Sequence, residues 1–312
     1  MALSILQSQA RYSLVIKDHI IRFVELRKNT LKGIRTMHER RLPNGIIENG
    51  NIVDKTRLED ILKHFIKKRK LKGKKIFIIV PDAFVVVRKI EIPGHLSADD
   101  IRSYLFMEIG HSIHLPFNNP VFDVHVLGQE EEHTEILLFA APEETVKEYV
   151  DLLESCGTKP VAAEISSLSL YRLYKQLDLA MDESSMFIQY DTDGINVSIF
   201  KAHLPLFIRQ IPKDTKEPTM EMRDSYTEIL AEIERMMNFY QFTLNNGEDA
   251  VQKVILTGDN PAIEAFFAHL KTVLTLPIYP LFNQHLQGIS GRSIPSQYHV
   301  NIGLALKEVP SQ

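Results

Sequence analysis

The chain has 312 residues, 44% of them hydrophobic and 24% charged, so it is neither wholly disordered, nor collagen-like, nor a disulfide-stapled mini-domain. Its length exceeds what one hydrophobic core usually supports, which predicts two domains. Lys and Arg number 36 against 40 Asp and Glu, a net charge of −4 that exerts no global pull on nucleic acid or anionic lipid. One cysteine, Cys156, excludes an intramolecular disulfide and, with no Cys/His cluster, a conventional structural zinc site; a reducing, cytoplasmic setting is expected. Residues 1–12 lack the pattern of a signal peptide. The most apolar run, 76–87, is broken by Pro81 and Asp82 and is too short to span a bilayer.

Residues 13–26 predict a β-hairpin turning at Lys17-Asp18-His19. Pro43-Asn44-Gly45 and Glu48-Asn49-Gly50-Asn51 carry turn chemistry around the apolar pair Ile46-Ile47. Asp54 caps a helix over 56–69, whose Leu58, Ile61, Leu62, Phe65 and Ile66 make one apolar stripe opposite a lysine-rich face. Strands follow at 76–80 and 84–92, then a helix with Ser97 at its N-cap, then a second hairpin, 121–127 and 135–140, around an acidic turn. A helix over 143–156 stops at Gly157, and 160–165 leads into another at 168–177. The small, polar segment 180–185 is the expected crossing between two halves.

The second half opens as the first does, with strands at 186–190, 195–200 and 206–211 and a turn at Asp191 to Gly194, which predicts a duplicated architecture. A charged loop at 213–224 precedes an amphipathic helix carrying Ile229, Leu230, Ile233, Met236, Met237 and Tyr240, a stripe expected in the core rather than around a cofactor. A strand at 253–256, a helix at 261–274 and a polar loop at 284–297 complete the pattern.

Several of these segments also carry a resemblance. Arg22-Phe23-Val24-Glu25-Leu26, the block from Leu42-Pro43-Asn44-Gly45 to Asp54, Lys72-Gly73-Lys74-Lys75, Leu115-Pro116-Phe117, Asn238-Phe239-Tyr240, Ile255-Leu256-Thr257-Gly258 and Ile302-Gly303-Leu304-Ala305 occur in that order over almost the whole chain. Together they resemble the type IV pilus assembly protein PilM family. The resemblance implies an actin-like α/β fold of two domains, 1–182 and 183–312, with mixed sheets flanked by helices and a small α+β subdomain inserted at about 42–140. It implies a non-catalytic cytoplasmic scaffold at the inner face of the cell membrane, serving a type IV pilus or a related secretion or competence machine. The implied partners are the cytoplasmic N-terminal peptide of a PilN-like membrane protein, held in a groove around 42–53 and 85–127, and cytoplasmic motor ATPases. Nucleic acid is not expected, and membrane contact is expected to be mainly indirect, through the partner.

Actin-like ATPases hold nucleotide with two acidic, glycine-containing hairpin turns and a glycine turn near the adenosine; glycine lets backbone N–H groups approach phosphate, and carboxylates position Mg²⁺. In the first hairpin the resemblance puts Val15 at the acid and Lys17 at the glycine, so both are lost, and Lys17 is expected on the surface. Asp191, Asp193 and Gly194 keep the second turn, although an ordinary hairpin uses the same residues. Thr257 and Gly258 keep the third, but Asp259-Asn260 follows in place of glycine. The expectation is a degenerate site with no catalytic residue, no metal site and no required cofactor, holding at most weak ATP with Mg²⁺. The alternative is a slow or nucleotide-gated ATPase using Asp191, Asp193 and Thr257-Gly258.

No P-loop, dinucleotide-binding, zincin or serine-hydrolase string occurs. His111 and His114 have helical metal-ligand spacing without a third ligand, so polar helix-end histidines are expected. The basic run Lys63, Lys67, Lys68, Arg69, Lys70, Lys72, Lys74 and Lys75 is expected to be a solvated face, with attraction to a membrane surface ranked second and nucleic acid last.

Overall fold

A computed structural model describes residues 10–27, 30–177, 183–212, 222–283, 286–287 and 293–308. Strands β1 (Arg11–Lys17) and β2 (Ile20–Leu26) form the expected hairpin, closed by the two-residue turn Asp18-His19. A third strand, β3 (Ile34–Arg41), pairs antiparallel with β2; its run of charged residues on a sheet edge gives no alternating pattern to predict it by. The turn block forms the short strands β4 (Ile47–Glu48) and β5 (Asn51–Ile52), joined by Asn49 and Gly50 at φ of 48° and 78°, the conformation that the commonest tight hairpin turn requires. Asp54 caps α1 (Lys55–Arg69) by accepting the Arg57 N–H at 3.0 Å, and β6 (Lys75–Ile79) follows.

A separate three-stranded sheet comes next, made of β7 (Val86–Pro93), β8 (Pro120–Gln129) and β9 (His133–Pro142) in the order β7-β9-β8, with helix α2 (Ala98–Glu108) laid across it. Ile101 and Leu105 of the helix pack on Ile92, Ile136 and Leu138. This inserted unit begins at Val86 rather than near residue 42. The chain before it belongs to the first sheet: β6 pairs parallel with β1, and α1 buries Leu58, Leu62, Phe65 and Ile66 against Leu14, Ile16, Ile21 and Phe23. The half closes with α3 (Glu143–Ser155), β10 (Lys159–Glu164) and α4 (Ser166–Gln176), giving a five-stranded sheet in the order β10-β6-β1-β2-β3.

The second half repeats this topology. Strands β11 (Ser185–Asp191), β12 (Gly194–Lys201) and β13 (Leu204–Pro212) are antiparallel, helix α5 (Met222–Asn238) leads to the parallel strand β14 (Lys253–Thr257), and α6 (Ile263–Val273) leads to β15 (Ile278–Pro280). The order β13-β12-β11-β14-β15 is that of the first sheet, element for element. Met236 and Tyr240 lie in its core, with Met237 packed against them. The expected crossing at 180–185 and the loops at 213–224 and 284–297 fall wholly or partly outside the described residues.

A last helix, α7 (His299–Ala305), is buried at every position and returns to the first half, packing on α4, β1 and β2. A division at 183 therefore does not apply to the C-terminus. Helices α4 and α7 fill the junction: Leu170, Tyr171 and Tyr174 meet Phe187, Phe200, Ile302 and Leu304, and the rings of Tyr171 and Phe200 stack with centroids 4.1 Å apart. The helices touch so closely that a β-carbon on Gly303 would overlap the Ser169 carbonyl, far inside van der Waals contact distance. Gly303→Ala should accordingly lower stability by about 1–3 kcal/mol, the usual cost of overpacking, as read from urea melts.

Candidate functional site

The two hairpin turns, Asp18-His19 and Thr192-Asp193, face one another across the junction. Lys17 and Asp191 are the last residues of the equivalent strands β1 and β11, and the Lys17 ammonium donates to Asp191 Oδ2. Lys17 is also 3.8 Å from Asp193. Arg22, the third residue of β2, donates to Asp259 beyond the end of β14 at 2.5 Å. The reciprocal contact runs the other way: Asn196, the third residue of β12, donates to Asp82 beyond the end of β6 at 2.8 Å. Each half thus reaches into the acid that follows the other half's central parallel strand.

Further bonds tie the acids down. Asp82 accepts the Ser166 hydroxyl at 2.5 Å, Asp259 accepts the Thr192 N–H at 2.8 Å, and Asp191 accepts the Asp259 N–H at 2.9 Å. His19 Nε2 is 3.2 Å from Asp259, and Asp18 takes the N–H groups of Asn49 and Gly50 at 2.6 and 3.0 Å. The side chains of Lys17 and Asp191 are only 11% and 4% exposed, so neither charge is tolerable without the other. Burial pushes the Asp191 carboxyl up, to about 6, against the pull of Lys17. Burial alone would lower Lys17, but Asp191, Asp193, Asp82 and Asp259 outweigh it and hold the ammonium above its usual range. Burial would likewise raise Asp259; His19, Arg22 and Lys17 together hold it well below the ordinary carboxylate value.

All five residues expected at the phosphate turns come to this junction. Asp191 and Asp193 face Lys17, Gly194 opens β12 at φ 149°, and Thr257 ends β14 with its hydroxyl 3.3 Å from His299 Nδ1. Gly258 has a packing reason for being glycine: its φ is 138°, and a β-carbon would collide with the Tyr190 carbonyl. Lys17, expected on the surface, is buried, because the partner acid lies on the other half and 174 residues away in sequence. Arg22, His19, Asp82 and Asp259 carry no sequence pattern that marks them as partners. Among the described residues no group of three or more His, Cys, Asp and Glu side chains is arranged to hold a metal ion, and His111 and His114 are exposed. Two cavities lie in the junction, one of about 10 Å³ beside Gln189, Asp191 and His299 and one of about 30 Å³ beside Asp18, Asp82 and Asp193. A cavity of the smaller size holds about one water molecule.

A larger opening lies on the inserted unit. A groove of about 740 Å³ runs between α2 and the start of β8, with Glu143 of α3 at its end. Phe106 and Met107 stand 78% and 62% exposed beside it, and Val121 is 39% exposed. Arg102 donates to the Phe122 carbonyl at 2.9 Å and lies over the Phe122 ring, so the wall is stiffened from within. The block 42–53 contributes elsewhere: Asn49 and Gly50 sit at the junction cavity.

Duplicated sheets of this order, with a cleft between paired hairpins, define an actin-like two-domain fold. Solved structures agree. The chain superposes on the protein of a "PilM-PilN type IV pilus biogenesis complex" with a TM-score of 0.78 at 16% identity, covering 96% of this chain and 98% of that one. A Bacteroides thetaiotaomicron protein with an actin-like ATPase fold gives 0.51 at 13% identity over 97% and 98% of the two chains. The ethanolamine utilization protein EutJ of Carboxydothermus hydrogenoformans gives 0.54 at 10% identity over 96% and 89%. No curated protein matches by sequence. The family model described as type IV pilus assembly protein PilM matches residues 14–227, more than half of the chain, and the chain belongs to that family. No helix of the described residues is long and apolar enough to cross a membrane.

Lys17→Met should cost about 3–5 kcal/mol in urea melts by stranding the buried Asp191, and Lys17→Met/Asp191→Asn should recover most of that loss. The folded-state value of Asp259 lies below its unfolded value near 4, so its contribution is complete above that pH and lost progressively as pH falls from there through the folded value. The melting-temperature gap between the wild type and Asp259→Asn should therefore be widest near neutrality and shrink below about pH 4.

Proposed function

We propose that the chain is a non-catalytic scaffold of a type IV pilus or a related secretion or competence machine. It works at the inner face of the cell membrane, capturing the cytoplasmic N-terminal peptide of a PilN-like membrane protein. The observation that carries the non-catalytic part is Lys17 on Asp191. The carboxylates that would position a cation in an actin-like ATPase are neutralised by the chain's own ammonium and guanidinium. Nucleotide-sized ligands need several hundred Å³, whereas each of these two junction cavities holds only tens. On this reading the cleft is architecture, and the weak nucleotide site suggested by Asp191, Asp193, Gly194, Thr257 and Gly258 opens only if Lys17 leaves Asp191. A slow ATPase would need the same opening.

The partner reading is supported by the PilN in the superposed complex and by the groove on the inserted unit. An exposed apolar groove rimmed by Asp99, Arg102 and Glu143 suits a short peptide with alternating apolar and charged side chains. The groove and the ion cluster share no residue, which supports peptide capture without ATP.

A synthetic peptide copied from the N-terminus of the PilN homologue should bind the purified chain in calorimetry. Phe106→Ser/Met107→Ser should weaken that binding at least tenfold, with the melting temperature unchanged because both side chains are exposed. Unchanged affinity in the double variant would place the peptide elsewhere.

A further inference from the structure

The basic run has a structure that a merely solvated face does not need. Residues 63–75 hold eight Lys or Arg and no Asp or Glu, in a chain whose net charge is −4. The apolar stripe of α1 is used up against the first sheet, so the cations stand on the outside. Lys63 is paired with Glu59, and Arg69 is turned toward His38 at 3.2 Å and over the Phe65 ring. Lys67, Lys68, Lys70, Lys72, Lys74 and Lys75 are exposed and have no carboxylate of the described residues within ion-pair distance. Lys75 lies beside a seventh, Lys159, in the register of β6 and β10. Like charges set opposite one another on neighbouring strands are destabilising, and no carboxylate of the described residues lies within ion-pair distance of either.

The backbone that carries these lysines is fixed. Helix α1 stops at Lys70, which is left-handed at φ 57°, and buried Leu71 anchors the turn. The Gly73 N–H donates to the Gly157 carbonyl at 2.7 Å, and the Lys159 N–H to the Lys74 carbonyl at 2.9 Å. The array occupies the end of the sheet where β6 and β10 begin, opposite the end where β1 runs into the Lys17 cluster. The two sites are therefore separate in space.

We propose that this array is a docking surface for anionic lipid headgroups, a direct electrostatic contact with the membrane in addition to any contact made through a partner. Clustered ammonium groups act as point charges that suit a fluid, planar layer of phosphates without fixed geometry. Lysines alone can hold a phosphate backbone, but reading base edges or stacking on single strands calls for planar guanidinium forks or exposed aromatic rings. The one Arg in the run is already engaged, and Phe65 is buried. A flat surface meets one end of the molecule, whereas a long polyanion would also meet the acids that make the rest of the chain negative.

The test is sedimentation of the full chain with vesicles of phosphatidylcholine, with and without about one third phosphatidylglycerol, and with a DNA duplex as competitor. The wild type should bind only the anionic vesicles and should lose roughly tenfold or more of its partitioning between about 0.05 M and 0.5 M salt. Lys67→Gln/Lys68→Gln/Lys72→Gln/Lys75→Gln should lower partitioning at least tenfold at the lower salt. Lys55→Gln/Arg57→Gln/Lys147→Gln/Lys271→Gln, which removes the same charge elsewhere, should leave it within about twofold. No binding to anionic vesicles, equal loss in both variants, or duplex DNA bound more tightly than the vesicles would each overturn the proposal. Circular dichroism melts of both variants should match the wild type, since all eight positions are exposed.

Discussion

The structure depends on a charge balance that neither half can satisfy alone. Asp82, Asp191 and Asp259 are drawn into the junction by the topology, at or just past strand ends in each half. Buried carboxylates persist only beside donors, and the donors come from across the junction: Lys17 to Asp191, Arg22 to Asp259, Asn196 to Asp82. The exchange follows the pseudo-twofold relation of the duplicated halves, with residues at equivalent strand positions playing matching roles. What a symmetric dimer achieves with two copies of one patch, this chain achieves with diverged ones. Closure of the cleft follows from that balance, because parting the halves strands several charges at once.

Much of the fold was legible before the structure. The alternation in β1 and β2, the stripes of α1 and α5, Asp54 and Ser97 at helix starts and Gly157 at a helix end are local signals, and each lands where expected within a residue or two. Strand β3 was not legible, since an edge strand rich in Arg and Glu has no apolar face to declare. Helix α7 is hidden for the opposite reason: it is buried all round, so it carries no amphipathic period. The start of the inserted unit is not marked in the sequence, because the strand β6 looks the same whether it pairs with β7 or with β1; only the pairing decides.

The site residues divide the same way. Asp191, Asp193 and Gly194 are visible as a hairpin turn, and Thr257-Gly258 as a strand end. What they do depends on Lys17, and a lysine on a tight turn looks like surface until the second half is brought against it. Gly258, in a turn that suggests ligand binding, and Gly303, in a block that carries the resemblance, are both explained by close backbone approach. The two features left over, the groove beside Phe106 and the lysine array at the end of α1, lie away from the junction and face outward. Their place outside the junction is what the proposed scaffold role calls for.

The most direct test of that view is a calorimetric titration of Mg²⁺-ATP into the purified chain. A cleft held shut by its own cations gives no saturable heat, with or without Mg²⁺. Saturable, Mg²⁺-dependent binding that Asp191→Ala abolishes would contradict it, and would mean that Lys17 yields its place to a metal ion.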